Sequence, residues 1–593
     1  MGKLKQIMKK FILHNIEILK KPIEQNLIWF LFTYMAGAFC NALFPWEGSR
    51  LIGFFQLFLD VYVVVVIGSL LPRKVWNIAK WILTIFFYTV SIIDLFCWFR
   101  LATPISPTLL VTFMQTNSNE AQEALDAYID YGYILKLLPL FILLAMHIVA
   151  SNSHRIKAYL NRLTVKFSTA ITCAVPLMLA VTLSMCLKNE IFIFYRVALG
   201  YNVKDTLITT DIVPTVRLYT PVHRFLGAIR DAEQNKDIIK HLHANLELTA
   251  VDSCDFRSRN IILIIGESYN RHHSQLYGYN KPTTPLQSQH MKNGNLVVFE
   301  DAVAMYNLTN EIFPAMLSTH CIGDSTDWFR TPMFTTLFRN AGYEVSFFSN
   351  QYIKDISDSY SDFHEDLLLN NEKMSAAQFS RRNSVRYTYD KELIEEFDSL
   401  TSESKGNLVI FHLMGQHINF KSRYPKEFGY FNGEMYSNIS PEYRELIAHY
   451  DNATLYNDYI LNLIIEKFQN EDAIIIHVAD HGERTCDNGD DYGRTFSYKP
   501  SDVKQQYEIP LWIYFTDRYK ELHPDIVQSV IEAKGDPLCT ENIAHMLLYL
   551  GGIHTVHYSD AHNPLSAGFN PDAPRIINNK YNYDEIINNT KKQ

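Results

Sequence analysis

The sequence lacks the marks of a cysteine zinc protein and of a nucleic-acid-binding protein. It has eight cysteines among 593 residues and no Cys-x-x-Cys pair, which argues against a zinc site built from cysteine. The formal net charge is −9 and no basic-aromatic patch stands out, so we expect no nucleic-acid partner. Cys254, Cys321, Cys486 and Cys539 leave room for one or two disulfide bonds in the second half, without a readable connectivity.

Long apolar segments occupy the first 187 residues. They cover about 27–45, 51–71, 78–98, 133–150 and 167–187, and each approaches the ~20 residues that cross a bilayer. No small-residue cleavage site precedes the second segment, so we expect the first to remain as an anchor. The alternative, a soluble helical bundle, does not explain the basic connectors between the segments. The sequence therefore predicts an N-terminal transmembrane domain of five helices over residues 1–187.

Basic residues predict the orientation of these helices. They precede the first span and lie near the second-to-third and fourth-to-fifth connections: Lys3, Lys5, Lys9, Lys10, Lys20, Lys21, Arg73, Lys74, Lys80, Arg155, Lys157, Arg162 and Lys166. By the positive-inside rule these three stretches face the cytoplasm. Five spans then place residues 188–593 on the other side, as a linker with interfacial helices over 188–258 and a catalytic domain over 259–593.

Residues 259–593 alternate between short apolar runs and helical patterns, as is typical of α/β proteins. Candidate strands are Asn260–Ile265, Val297–Val303, Val345–Ser349, Leu408–Leu413, Ala473–Val478 and Ile509–Phe515. Helical patterns lie between them, near 310–320, 330–341, 386–399, 441–468 and 541–550. This alternation predicts an α/β/α sandwich with a mostly parallel sheet, whose strand ends should carry the chemistry.

Three side chains of the kinds that bind metals lie just beyond the ends of two of these strands. Glu267 comes after the strand Asn260–Ile265, and the dipeptide Asp480-His481 comes after Ala473–Val478. Carboxylates and imidazole together suit a divalent ion such as zinc. The alternative is an Asp-His-Gly turn without chemistry.

A threonine and a histidine could complete such a site. Thr309 stands at the start of a helical pattern, where backbone N–H groups and the helix dipole favour a phosphate. A metal would activate its hydroxyl as a nucleophile; the alternative is a simple helix cap. His417 follows the strand Leu408–Leu413 and could bind a phosphate or protonate a leaving group, whereas His412 within that strand is expected to be a core residue.

Six sequence pieces together resemble one enzyme family. They read I-I-G-E-S with L-Y-G-Y-N-K-P-T-T-P, T-N-E-I-F-P-A-M-L-S, F-H-L-M-G-Q-H-I-N-F-K-S-R-Y-P, V-A-D-H-G-E and Y-E-I-P-L-W. In order and spacing they are similar to the membrane-bound phosphoethanolamine transferases of Gram-negative bacteria, within the alkaline phosphatase/sulfatase superfamily. The branch that modifies the lipopolysaccharide core or several surface targets is the most similar.

This resemblance implies a site and a reaction. It implies zinc, with manganese as the alternative ion, bound by Glu267, Thr309, Asp480 and His481, and Thr309 as the nucleophile. It also implies substrate contacts from the following residues: His417, Thr116, Glu120, Asn350 and Lys354. The donor would be phosphatidylethanolamine and the acceptor lipid A or the core. The protein would be a monomer in the bacterial inner membrane, with a cytoplasmic N-terminus and a periplasmic catalytic domain.

The sequence departs from the family pattern after D-H-G-E. Many members carry a further histidine there, and in this chain Tyr492 or Gln505 stands in its place, which puts the leaving-group acid or a second metal site in doubt. Two other functions therefore stay open: a phosphoglycerol transferase of the lipoteichoic acid or periplasmic glucan type, and a metal-binding membrane sensor without turnover. A sulfatase is disfavoured because Thr309 lacks the Cys/Ser-x-Pro-x-Arg context.

Overall fold

A computed structural model describes most of the chain. The residues described are 17–43, 50–101, 104–105, 109, 131–166, 174–182, 184, 221–324, 326–351, 369, 371–383, 385–401, 403–487, 492–495 and 498–590. Those before Gln234 form one compact unit and those from Gln234 onward form another.

The first unit is helical. Its helices are Leu27–Leu43, Arg50–Leu70, Arg73–Leu101, Tyr131–Asn152 and His154–Lys166, together with the start of Pro221–Leu248. Among the described residues, three helices are long and apolar enough to span a membrane, or up to four if the helices Glu17–Gln25 and Leu27–Leu43, bent by 83°, form one span. Of the fifth predicted span, the structure describes only residues 174–182 and 184, which are helical. The count of five helices therefore stays a prediction.

Two carboxylates inside this unit have basic partners. The Arg224 guanidinium forms a two-pronged ion pair with Asp94, with Nε 2.9 Å from Oδ1. Asp94 is fully buried, and His223 Nε2 lies 3.0 Å from Asp60 Oδ2. A charge among apolar helices is costly unless it is paired. These contacts explain how the unit accommodates two acidic residues within its spans.

The second unit is built on a seven-stranded sheet. Its strands, in chain order, are β1 (Asn260–Gly266), β2 (Leu296–Phe299), β3 (Glu344–Ser349), β4 (Arg381–Arg382), β5 (Asn407–His412), β6 (Ala473–Ala479) and β7 (Leu511–Phe515). Their order in the sheet is β2-β7-β6-β1-β5-β3-β4. Central β1 is parallel to β5 and β6, whereas β7 is antiparallel to both β6 and β2. The predicted mostly parallel sheet is confirmed as a mixed sheet with one reversed strand.

Both faces of the sheet are covered by apolar cores. Side chains alternate along β1, so that Ile261, Leu263 and Ile265 enter one core while Ile262 and Ile264 enter the other. The helices of the second unit after Pro221–Leu248 are Pro285–Lys292, Thr309–Leu317, Phe334–Ala341, Glu372–Gln378, Asp390–Glu396, Arg444–Phe468, Pro500–Tyr507, Asp517–Leu522, Pro524–Ala533, Asn542–Gly551 and Tyr583–Thr590. Burial on both faces explains why the strands read as continuous apolar runs.

The predicted strand Val297–Val303 is wrong as one element. It divides into β2 and a two-residue strand, Ala302–Val303, that pairs with Leu538–Cys539. Two acidic residues, Glu300 and Asp301, separate the pieces, and Asp301 Oδ1 accepts a hydrogen bond from Arg575 Nη1 at 2.6 Å. The one or two disulfide bonds for which the sequence left room do not form in the described structure, where the four cysteines of the second half are all free.

Candidate metal centre

The predicted metal ligands meet at the carboxyl end of the sheet. Glu267 directly follows β1, and Asp480 and His481 directly follow the neighbouring parallel strand β6. One potential ligand atom from each of these three residues lies within 4.8 Å of the other two. His481 Nε2 is 3.2 Å from Asp480 Oδ2 and 3.6 Å from Glu267 Oε1. All three side chains are fully buried.

Thr309 reaches the same point from another element. It is the first residue of the helix Thr309–Leu317, and Leu308 occupies the cap position without a side-chain hydrogen bond. Thr309 Oγ1 donates to Glu267 Oε2 at 3.0 Å and lies 3.3 Å from His481 Nε2. The hydroxyl therefore points at the carboxylate cluster and does not cap the helix.

The chemistry of this cluster fits a divalent cation. His481 Nδ1 lies 2.8 Å from the Gly482 carbonyl, which can only accept, so Nδ1 carries the proton and Nε2 offers a lone pair. Burial lowers the pKa of His481 to about 4, which keeps the imidazole neutral as a ligand must be. Burial and the adjacent Glu267 carboxylate raise the pKa of Asp480 well above its usual range. Asp480 Oδ2 is buried and has no hydrogen-bond partner among the described residues. A bound cation would satisfy this oxygen and both charges.

Two glycines, Gly415 and Gly482, allow the loops after β5 and β6 to pack closely against neighbouring backbone. A side chain on Gly482 would place its Cβ 2.1 Å from the Gln505 carbonyl oxygen, and one on Gly415 (φ +48°) would lie 3.0 Å from the Glu267 carbonyl oxygen. The Gly482 N–H donates to the Gln506 carbonyl at 2.8 Å. Only glycine permits this spacing, so the loops after β5 and β6 pack directly against their neighbours.

Arg494 is a site residue that the sequence interpretation missed. Its Nη1 lies 3.3 Å from His481 Nε2, its Nη2 is 3.9 Å from Glu267 Oε1, and its Nε is 3.5 Å from Glu483 Oε2. Gln505, one of the two positions expected to replace the family histidine, instead accepts from the Thr485 N–H at 3.0 Å. The basic side chain at the site is therefore that of Arg494, two residues after Tyr492.

The loop after β3 contributes through Gln351. The Asn350 side chain donates to Asp390 Oδ1 at 3.0 Å and accepts from the Tyr387 N–H at 2.7 Å, which uses both ends of its amide within the fold. Gln351 Nε2 donates to Glu267 Oε2 at 3.1 Å. A substrate contact from Asn350 stays a prediction. The other predicted contacts Thr116, Glu120 and Lys354 lie outside the described residues.

His417 lies close enough to Glu267 and Arg494 to interact with their charges, whereas His412 lies in the core. Burial, reinforced by Arg423 and Arg494, lowers the pKa of His417 to about 3, although Glu267 opposes this. The ring is therefore neutral near pH 7 and suits hydrogen bonding better than proton donation. His412 is fully buried, with Nδ1 3.0 Å from Ser349 Oγ.

A second buried charged cluster lies behind the D-H-G-E loop. His273 Nδ1 is 2.5 Å from Asp451 Oδ1, and His273 Nε2 is 3.1 Å from Asp487 Oδ2 and 2.8 Å from Thr485 Oγ1. Against the cost of burial, Asp487 and Asp451 raise the pKa of His273 to about 10. With this pKa the ring of His273 is protonated near pH 7, and it links the helix Arg444–Phe468 to the loop after β6.

Known proteins are similar to this chain in sequence and in fold. Residues 259–553 match the Sulfatase family. "Phosphoethanolamine transferase EptC" of Escherichia coli strain K12 is 24% identical over 97% of this chain and 98% of its own length. "Kdo(2)-lipid A phosphoethanolamine 7''-transferase" of the same strain is 26% identical over 49% of this chain and 50% of its own length.

A solved structure extends the similarity to the whole chain. The integral membrane protein lipooligosaccharide phosphoethanolamine transferase A (EptA) from Neisseria meningitidis shares the fold at a TM-score of 0.57, with 18% identity over 91% of this chain and 98% of that one. The end-to-end match to EptC and the Sulfatase match over the second unit agree with the resemblance of the motifs. The chain is therefore similar from end to end to the phosphoethanolamine transferase EptC, and residues 259–553 of its second unit carry a Sulfatase-family domain.

Proposed function

We propose that this protein transfers phosphoethanolamine from phosphatidylethanolamine to lipid A or to the lipopolysaccharide core. The observation that carries the proposal is the position of Thr309 Oγ1, 3.0 Å from Glu267 and 3.3 Å from His481 within a cluster suited to a cation. The names of the relatives supply the group and the acceptor class.

Glu267, Asp480, His481 and Thr309 would hold the metal ion. Two carboxylates, one neutral imidazole and one hydroxyl suit zinc, with manganese as the alternative. When bound, the ion lowers the pKa of the Thr309 hydroxyl and offsets the charge that develops on the phosphoryl oxygens.

The transfer takes two displacement steps at phosphorus. Thr309 Oγ1 forms a bond to the phosphorus of the donor while the bond to the glycerol oxygen breaks. The proton lost by Thr309 ends on that oxygen, and diacylglycerol leaves. An acceptor oxygen, from a phosphate or a sugar hydroxyl, then attacks the phosphothreonine. The Thr309–phosphorus bond breaks and Thr309 regains a proton.

Arg494 and His417 would bind the phosphoryl group during both steps. The Arg494 guanidinium lies 3.3 Å from His481 Nε2, which places a fixed positive charge next to the nucleophile. Arginine presents a planar fork that matches phosphate oxygens. His417, neutral near pH 7, would donate or accept a hydrogen bond at the same group.

The membrane unit would serve a reaction in which both substrates are lipids. The apolar helices of the first unit fit a protein of the bacterial inner membrane. From the positions of the basic residues we propose a cytoplasmic N-terminus and a periplasmic catalytic unit, and we propose that the protein is a monomer.

Mass spectrometry of lipid A and core from cells with and without the protein tests the function. The proposal predicts an added phosphoethanolamine that disappears with Thr309→Ala. Modification that persists at the wild-type level with Thr309→Ala would refute this nucleophile. An added phosphoglycerol would favour the glucan-type transferase, and no added group would favour a metal-binding sensor.

A further inference from the structure

The first unit contains a large cavity that the transferase reaction does not use. It has a volume of about 810 Å³ and opens between the ends of several helices. Its walls include Trp29, Trp76, Lys80 and His147 from three of the apolar helices, and Lys157 from the helix His154–Lys166. This volume falls in the range of small-molecule binding sites, roughly 300–1,000 Å³.

The charge around the cavity is mainly positive. Arg73, Lys80 and Lys157 line it, and Arg73 and Lys157 lie close enough to Lys80 to repel its ammonium group. Glu24 is the acidic residue in the lining, and Lys20 Nζ lies 3.6 Å from its carboxylate. Among the described residues of the lining, Arg73, Lys80 and Lys157 have no carboxylate partner, which favours an anion between them.

The rest of the lining suits the headgroup region of a lipid. Trp29 and Trp76 pack edge to face, with ring centroids 5.9 Å apart, and Lys80 Nζ lies 5.6 Å from the Trp76 centroid. Trp76 Nε1 donates to Asn26 Oδ1 at 2.7 Å, at the bend between the helices Glu17–Gln25 and Leu27–Leu43. Tryptophan and lysine at the end of spanning helices are typical of the membrane interface.

A buried nitrogen in the lining has no hydrogen-bond partner among the described residues. His147 is 2% exposed, and its Nδ1 makes no hydrogen bond to any described residue. Its ring stacks on Phe32 with centroids 5.2 Å apart, so the ring is held in place. A buried nitrogen of this kind normally has a partner, and a ligand in the cavity would supply one.

From these observations we infer that the cavity binds the phosphate of an anionic phospholipid. Arg73, Lys80 and Lys157 contact the phosphodiester, and the acyl chains lie along exposed apolar side chains beside the opening, such as Ile78 and Trp81, which are 64% and 41% exposed. Basic pockets between spanning helices on the cytoplasmic side are known to take such headgroups. The site is independent of the transferase reaction, because no residue of the metal centre lines the cavity.

Native mass spectrometry of the purified full chain tests this inference. Detergent-solubilised protein is titrated with phosphatidylglycerol, with phosphatidylcholine, or with inorganic phosphate as competitor. The variants are Arg73→Gln/Lys80→Gln/Lys157→Gln, the charge-retaining Lys80→Arg, and Lys74→Gln as a matched control. Lys74 is an exposed neighbour of Arg73 that does not line the cavity.

We expect phosphatidylglycerol to bind the wild type, Lys80→Arg and Lys74→Gln alike. The triple variant should bind at least about tenfold more weakly, since each removed charge weakens attraction to anionic lipid severalfold. Equal binding to the triple variant and the wild type, or equal binding of the zwitterionic lipid, would overturn the inference. So would displacement of the lipid by inorganic phosphate at the same concentration, which would make free phosphate the ligand. If the triple variant does not fold, the comparison of phosphatidylglycerol with phosphatidylcholine on the wild type keeps the test decisive.

Discussion

Two buried carboxylates, Glu267 and Asp480, share the volume at the carboxyl end of the sheet with His481 and Thr309. Without a cation, burial and the adjacent Glu267 carboxylate oppose charge on Asp480, which is why the pKa of Asp480 is raised. Asp480→Asn removes that repulsion, so we predict that the metal-free variant melts at the same temperature as metal-free wild type or above it. Zinc should raise the melting temperature of the wild type and should not raise that of the variant.

Asp458→Asn is the matched control for this prediction. Asp458 is also buried, but it accepts hydrogen bonds from the Leu286 and Gln287 N–H groups at 2.9 and 3.0 Å and is not among the proposed metal ligands. Zinc should still stabilise this variant. A clear zinc-dependent shift in Asp480→Asn would show that Asp480 is not a ligand.

Arg494 supplies a second prediction at the residue scale. Arg494→Ala should lower kcat/KM on the order of 10²-fold, as expected when a donor to the developing phosphoryl charge is lost. Arg494→Lys should recover part of the loss, because lysine keeps the charge without the planar fork. Arg339→Ala, a change on the helix Phe334–Ala341, should leave the rate unchanged. A wild-type rate in Arg494→Ala, measured by steady-state kinetics with a fluorescent donor lipid, would exclude a role for this residue.

Residues beside regular elements were predictable, and residues in irregular segments were not. Glu267, Asp480, His481 and Thr309 each adjoin a strand end or a helix start, so the pattern brings them to one edge of the sheet. Arg494 lies in a loop without periodicity. Its neighbours are held by contacts such as the hydrogen bond from the Thr495 N–H to Gln506 Oε1 at 2.7 Å, which no local pattern encodes.

At the scale of elements, the strands are predictable because both faces of the sheet are buried. A strand that is buried on both faces must be apolar along its whole length. The predicted runs Asn260–Ile265 and Ala473–Val478 differ from β1 and β6 by one residue at the end. Reversal of β7 was not predictable, because a buried antiparallel strand has the same apolar run as a parallel one. The division of Val297–Val303 followed from the adjacent Glu300 and Asp301, a signal that the sequence did contain.

The buried cluster around His273 predicts how stability depends on pH. Its pKa is raised to about 10 by Asp487 and Asp451, against roughly 6.5 in an unfolded chain. Protonation of His273 therefore stabilises the folded state. This contribution to the free energy of unfolding is fully present below about pH 6.5 and is lost as the pH rises through about 10. We predict that the wild type loses on the order of a few kcal/mol between pH 7 and 10 through this group.

His273→Gln isolates this contribution from other groups that titrate at high pH. Its melting temperature should be lower than that of wild type at pH 7, and the difference should shrink towards pH 10. A difference that stays constant from pH 7 to pH 10 would mean that His273 is neutral in the folded protein.

At the scale of the whole molecule, the described residues form two compact units of different composition. One is an apolar helical unit, and the other contains the proposed metal ligands. We predict that calorimetry of the full chain in detergent shows two transitions. A zinc chelator should lower the transition of the second unit and leave that of the first in place. A single transition that shifts as a whole would contradict independent unfolding of the units.

Peptide mass spectrometry of Thr309 tests the central claim most directly. The purified full chain is incubated with phosphatidylethanolamine without acceptor, quenched in acid and digested. Our account predicts a phosphoethanolamine group on Thr309, absent from Asp480→Asn and removed when acceptor lipid is added before the quench. Transfer to the acceptor in the wild type, with Thr309 never carrying the group, would contradict it.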